Sequence, residues 1–450
     1  MTETRLNKTI IGLTLPAILS NITVPVLGLC DTGIAGHLGS SEYIDGIAIG
    51  AMMLNVLFWL CGFLRMGTTG LTAQEYGAGN EEGVRRVFTR SFILAALLGI
   101  IILIFSYPIE KLFSLLMSPE ANVAGYVDTY FFCCVFGLPA QLATMSILGW
   151  LLGMQNTVRP MIISISTNVV NIVLSFSFVF GIGMGFKGVA LGTMFANWCG
   201  LLLALILVYT FRKGKRIWAT LEEIKGGGSL RRYFSVNSDL FFRSACVMGV
   251  SLTVTAIGSR LGGITLATNA ILMQFFILFS YFMDGFAFTG EALCGRFAGA
   301  GDTKMLKKSI RYLLAWAAAM ALIFFTIYAI GNSFIINMLT DNEEVRANCL
   351  RHKLWIIILP PVTVAAFIYD GFFIGLTATR RMLIVTIISA SIFFITLFIR
   401  FNHGIYIGFP DNSTLWTAFL SYLLFRGLLL AIQMPTLLKH PLGTTSLNQN

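Results

Sequence analysis

The feature of this sequence that could do chemistry is an ionisable side chain set within an apolar run. Four carboxyls qualify. Asp31 follows Val24-Pro25-Val26-Leu27-Gly28-Leu29-Cys30, with no Lys or Arg nearby in sequence. Asp284 and Glu291 interrupt the apolar stretch 266–297, and Asp370 interrupts 352–376. An ionised group at membrane depth costs at least about 2.5 kcal/mol on insertion scales, so each such position invites a functional reading. A carboxyl there can take up and give off a proton. The plainer alternative for Asp31 is an interfacial residue at a helix end, since His37 and Gly39 soon follow. Asp284 and Glu291 stand seven residues apart, close to two helical turns, and so share one helix face. Glu291 reads more simply as structural, a partner for Arg296 or Arg65. No metal site is suggested. The eight Cys show no CxxC spacing, seven of them lie in apolar runs as small buried hydrophobes, and the four His fall at helix ends or in loops.

The elements that must hold these groups follow from composition. Of 450 residues, 56% are hydrophobic and only 12% are charged, and the mean hydropathy is +0.80. A soluble domain would carry about 25% charged residues. A membrane helix needs about 20 apolar residues, so the chain can fill about a dozen spans. The apolar runs are long and unbroken, which excludes a β-barrel of alternating ten-residue strands. The chain reads as an all-α polytopic membrane protein, with helices near 9–36, 45–76, 87–107, 126–153, 160–183, 188–211, 236–260, 266–297, 308–331, 352–376, 382–400 and 414–437. A membrane-embedded enzyme would need a convergent nucleophile, metal or acid–base set, and none is visible; no enzymatic activity is expected.

The positive balance, 31 Lys and Arg against 21 Asp and Glu, need not imply nucleic acid. With the N-terminus inside, the inner segments hold 20 basic residues and the outer ones seven. That is the positive-inside bias, and it places both termini in the cytoplasm. The first apolar segment runs past Pro16 to about His37 without a clear small-residue cleavage site, so it reads as a first span and not a signal peptide. A bacterial inner membrane is the expected location.

The sequence also repeats itself. Gly77-Ala78-Gly79-Asn80 followed by Arg85-Arg86 recurs as Gly299-Ala300-Gly301-Asp302 followed by Lys307-Lys308, 222 positions later. Leu138-Pro139, Gly149, Gly153, Thr157 and Arg159 recur as Leu359-Pro360, Gly371, Gly375, Thr379 and Arg381. Six helices per half is an even number, so both halves enter from the same side and are related by a pseudo-two-fold along the membrane normal. The expected layout is an N-lobe over 1–211, a flexible Gly-rich cytoplasmic linker over 212–235 and a C-lobe over 236–450. Asp370 has its repeat partner near Leu148, so this charge is not demanded by the shared scaffold.

Several stretches resemble the multidrug and toxic compound extrusion (MATE) family. They are Asp31-Thr-Gly-Ile-Ala-Gly-His-Leu-Gly39, Leu71-Thr-Ala-Gln-Glu-Tyr-Gly-Ala-Gly79, Gly149-Trp-Leu-Leu-Gly153 and Asn171-Ile-Val-Leu. Asp284-Gly-Phe-Ala287 and Asp370-Gly-Phe-Phe-Ile-Gly375 resemble its DinF-like branch. The resemblance covers nearly the whole chain and implies twelve helices in two lobes, working as a cation-coupled antiporter that expels organic compounds by alternating access. It gives Asp31 the place of the N-lobe coupling carboxylate. It gives Asp370 that of the helix-10 acidic residue used for cation binding or substrate contact, with Asp284 as a further coupling candidate. The family's second N-lobe carboxylate, four residues after Asn171, is Ser175 here. Asn168, Asn171, Ser175 and Thr193 can hydrogen-bond Asp31 but add no charge, or they serve as interhelical packing groups. One carboxylate suits H⁺ better than Na⁺ as the coupling ion. Pro16 and Pro25 would let helix 1 bend, or mark a static kink. Small, cationic or amphipathic substrates, the bilayer and a monomeric state are expected, with no cofactor. A flippase for a lipid-linked precursor is the alternative, although such relatives often carry extra helices and a strongly cationic cleft.

Overall fold

The computed structural model describes residues 3–38, 40–117, 119–226, 230–403 and 411–439. Twelve apolar elements follow one another as α1 (Glu3–Gly36), α2 (Ser41–Gly77), α3 (Glu81–Ile104), α4 (Ala121–Val135 with Leu138–Gly153), α5 (Val158–Phe176), α6 (Phe186–Arg212), α7 (Leu230–Arg260), α8 (Gly263–Gly299), α9 (Thr303–Leu339), α10 (Lys353–Gly375), α11 (Thr379–His403) and α12 (Asn412–Lys439). Among the described residues no strand occurs. Eleven of these elements are long and apolar enough to cross a membrane alone, and α4 becomes the twelfth if its two arms, bent by 51°, form one span. The bend falls at Gly137 and Pro139, where Pro139 sits in the first turn of the second arm, a position that needs no N–H. α2 is interrupted at Gly62, and α5 ends in a π-helical turn, Ser177–Gly181. Pro16 and Pro25 both lie inside α1, which stays helical from end to end.

Three short helices add to the expected set: Ser106–Met117, Leu221–Lys225 and Glu343–Arg351. The last holds Cys349, expected in an outer loop, and buries it completely. The other thiols are less uniform than expected. Cys61, Cys134 and Cys294 are buried, while Cys199 on α6 is exposed and Cys30, Cys133 and Cys246 are half-buried.

Two compact units form, one from Leu15–Asn237 and one from Met1–Thr14 with Ser238–Asn450. α1 therefore belongs to the second unit through Thr14 and to the first from Leu15, with Pro16 one residue further on. The internal repeat is explicit in the backbone. Gly79 and Gly301 take left-handed φ of 69° and 68°, and Gln155 and Thr377 take 59° and 52°. Asn80 caps α3 by accepting the Gly83 N–H at 3.0 Å, as Asp302 caps α9 by accepting that of Met305 at 2.9 Å. A Cβ on Gly149 would stand 2.4 Å from the Arg65 carbonyl oxygen, and one on Gly371 would stand 2.3 Å from that of Ala287. The close approach of α2 to α4 thus recurs, 222 residues on, between α8 and α10.

The basic stretch after α6 is not a loose tether as far as Gly226. Trp218 packs on Phe88 and Phe92, with ring centroids 5.1 Å apart in both cases. Thr220 and Glu223 form a reciprocal cap on Leu221–Lys225. Arg85 reaches Glu223 at 2.9 Å, Arg90 donates to the Ile224 carbonyl at 2.6 Å, and Arg212 pairs with Glu81 at 2.6 Å. Residues 213–226 form a strap across the start of α3. Sequence composition predicts flexibility here; the ion pairs and the packed indole supply anchoring that composition does not register.

Candidate functional site

In the first unit Asp31 sits on α1 with only 9% of its surface exposed, and its Oδ1 is buried with no hydrogen-bond partner. Its charge acts on Tyr130 and Cys134, both buried on α4. The Tyr130 hydroxyl lies near Thr193 of α6 and Cys134. Asn171 Nδ2 of α5 donates to Thr193 Oγ1 at 3.3 Å, and Ser175 Oγ donates to Asn171 Oδ1 at 3.1 Å. Asn171 and Ser175 are buried, whereas Thr193 is half-buried. Four helices thus bring Asp31 and a chain of hydroxyls and one amide together, and three of the four supporting residues expected from the sequence belong to that chain. Asn168 is held elsewhere: it donates to Thr23 Oγ1 on α1 at 2.9 Å. Gly192 makes the α5–α6 approach possible, because a Cβ there would lie 2.4 Å from Ser175 Oγ. Tyr130 is a member of the site that sequence reasoning missed. It lies in an aromatic and cysteine-rich stretch where nothing local distinguishes it.

The second unit has a different chemistry. Asp370 on α10 is 7% exposed; its Oδ2 accepts from Arg243 of α7 and forms an ion pair with Arg426 of α12 at 3.1 Å. Arg426 also donates to the Tyr422 hydroxyl at 3.0 Å, and its guanidinium lies 5.4 Å from that ring's centroid. Asp284, half-buried on α8, adds its charge to the field at Arg426. Glu291 is 1% exposed on the same helix. Asp370 and Asp284 were expected as lone carboxyls able to carry a cation or a proton. The geometry makes Asp370 the shared counter-ion of two buried guanidiniums. An Arg within an apolar run is as costly as an Asp, so the stretch Leu240-Phe-Phe-Arg-Ser-Ala and the stretch Leu423-Leu-Phe-Arg-Gly carried the signal that would have found both partners. Among the described residues no group of three or more His, Cys, Asp or Glu is placed to hold a metal.

The MatE family model matches residues 16–179 and again 240–399, one copy in each half. DNA damage-inducible protein F of Escherichia coli is 35% identical over 94% of this chain and 91% of its own. A probable multidrug resistance protein NorM of Thermotoga maritima is 26% identical over 68% and 66% of the two chains. Among solved structures, a MATE protein in a bent conformation superposes with a TM-score of 0.85 at 17% identity, covering 98% of this chain and 97% of that one. A Vibrio cholerae MATE transporter gives 0.83 at 15% identity, covering 97% and 98%.

Proposed function

The chain belongs to the multidrug and toxic compound extrusion family of membrane transporters, and on that premise we propose that it is a proton-driven antiporter exporting small amphipathic organic compounds by alternating access. The observation that carries this reading is Asp31. It is a buried carboxyl with no ion pair among the described residues and one oxygen without a hydrogen-bond partner. It therefore has a protonated state that costs no partner. The surrounding Tyr130, Thr193, Asn171 and Ser175 bring hydroxyls and an amide but no second charge. A sodium ion would ask for several oxygen ligands around a carboxylate; here the polar groups largely bond one another. Asp370, already serving two arginines, is the weaker carrier, because protonating it would remove the carboxylate charge that two buried guanidiniums share. Proton and substrate drive each other to the extent that they bind the two access states differently. Names of relatives such as the Thermotoga multidrug resistance protein favour drug-like substrates.

The test is efflux of a fluorescent cationic dye from proteoliposomes under an imposed pH or sodium gradient, for wild type and Asp31→Asn. Efflux driven by the pH gradient and abolished in the variant is the expected result. Efflux persisting in Asp31→Asn would remove coupling from this residue, and a sodium-only response would replace the ion. The second reading, a flippase for an anionic lipid-linked precursor, draws on the buried Arg243 and Arg426. It predicts lipid translocation with no gradient-driven dye flux.

A further inference from the structure

The first turns of α9 carry Lys304, Lys307, Lys308 and Arg311 at i, i+3, i+4 and i+7, a spacing that sets all four on one face. With Glu3 of α1 and Tyr312 they line a cavity of about 510 Å³. Glu3 neutralises one cation, Lys308, at 3.1 Å, while Lys304, Lys307 and Arg311 stay exposed. One turn further along, Trp316 Nε1 donates to Asn7 Oδ1 at 3.1 Å, closing α1 against α9 beneath the cavity.

The repeat shows what chemistry such a face accepts. The equivalent positions on α3 are Glu82, Arg85, Arg86 and Thr89. There Arg85 binds the Glu223 carboxylate, Arg86 donates to the Gly226 carbonyl at 3.3 Å, and Thr89 Oγ1 accepts the Ala219 N–H at 2.9 Å. In the first half the chain's own strap covers this face, with the Glu223 carboxylate on Arg85. In the second half the residues that follow α12, 440–450, contain no Asp or Glu. The positions equivalent to the strap at the 222-residue offset, 435–448, carry no Asp or Glu.

We propose that the α9 cavity binds the phosphate headgroup of an anionic phospholipid, with Lys304, Lys307 and Arg311 as its ligands. A lipid fits better than a soluble anion because of where the face lies. α9 has 37 residues, about 55 Å at 1.5 Å per residue, against a hydrocarbon core of about 30 Å. Its basic first turns therefore stand at headgroup level. Exposed apolar groups, Ile11 on α1 and Trp316 on α9, lie on the hydrocarbon side, where acyl chains would run. Basic pockets between spanning helices on the cytoplasmic side suit such headgroups.

Native mass spectrometry of the full chain in detergent, with phosphatidylglycerol or phosphatidylcholine added, tests this. Wild type should retain the anionic lipid preferentially. Lys304→Gln, Lys307→Gln and Arg311→Gln together should lower retention by about fivefold for each charge removed. The control Lys213→Gln, Lys215→Gln and Arg216→Gln removes the same charge and should leave retention unchanged. Glu3→Gln, which frees Lys308, should raise retention, so the idea stays testable if the triple variant folds poorly. Equal loss in the control, displacement by millimolar inorganic phosphate, or retention that appears only after residues 440–450 are deleted would each overturn the proposal.

Discussion

Asp31 and Asp370 are both buried carboxyls, and their surroundings assign them different work. Asp31 has no ion pair among the described residues and lies near the neutral Tyr130 and Cys134, so changing its protonation alters one charge. Asp370 is bound to two guanidiniums, and its loss removes the charge that they share. Breaking a buried ion pair by removing one partner costs about 3–5 kcal/mol. We expect Asp370→Asn to lower the unfolding temperature far more than Asp31→Asn, with Arg243→Leu intermediate because Arg426 remains to pair with Asp370. A thermal shift assay on the purified variants ranks them. If Asp370→Asn is as stable as wild type, the ion network is not holding α7, α10 and α12 together. At this scale Asp31 is legible in the sequence, because a charge inside an apolar run is a one-dimensional signal. The company of Asp370 is not, since Arg243 lies 127 residues away and neither apolar run names the other as its partner.

Elements in this protein meet where glycines permit it. Gly149 against Arg65 and Gly371 against Ala287 are the same contact in two copies, and both glycines belong to the pattern that the sequence repeats. Gly371→Ala forces a Cβ onto backbone that cannot step aside, an overpacking that costs about 1–3 kcal/mol. Gly149→Ala should cost a similar amount, which denaturant melts of the two variants can compare; a neutral effect at either would show that the helices separate freely. The strap over α3 has its own dependence on pH. Glu223 is held below its ordinary value of 4.5 because the Thr220 N–H, and then the Arg85 guanidinium, favour the carboxylate. A carboxyl lowered by folding stabilises above that ordinary value and ceases to do so as pH falls through the lowered one. Protection of residues 213–226, taken relative to the intrinsic exchange rate at each pH, should therefore be high at neutral pH and fall in acid below about 4.5, while Glu223→Gln should show the lower protection already at pH 7. Protection unchanged by both acid and the substitution would show that the Glu223 carboxylate does not hold the strap.

At the scale of the whole molecule, we expect both termini on the cytoplasmic side, from an even number of spans and the inward bias of Lys and Arg. Tags at either end should be cleaved by protease in inside-out vesicles and protected in right-side-out ones; opposite behaviour of the two ends would mean an odd number of crossings. The arms of α4 on either side of their 51° bend are where that count would change. Composition, charge distribution and the 222-residue offset determined the class, the spans, the repeat and the place of Asp31, because each is written as a local or periodic pattern along one chain. Tertiary structure alone decided that Thr193, Asn171 and Ser175 form one hydrogen-bonded chain with Tyr130 between them and Asp31, that Asp370 is a shared counter-ion, and that the Gly-rich stretch is strapped down as far as Gly226. Those facts depend on which faces of distant helices meet, and no pattern confined to one helix encodes the identity of its neighbour.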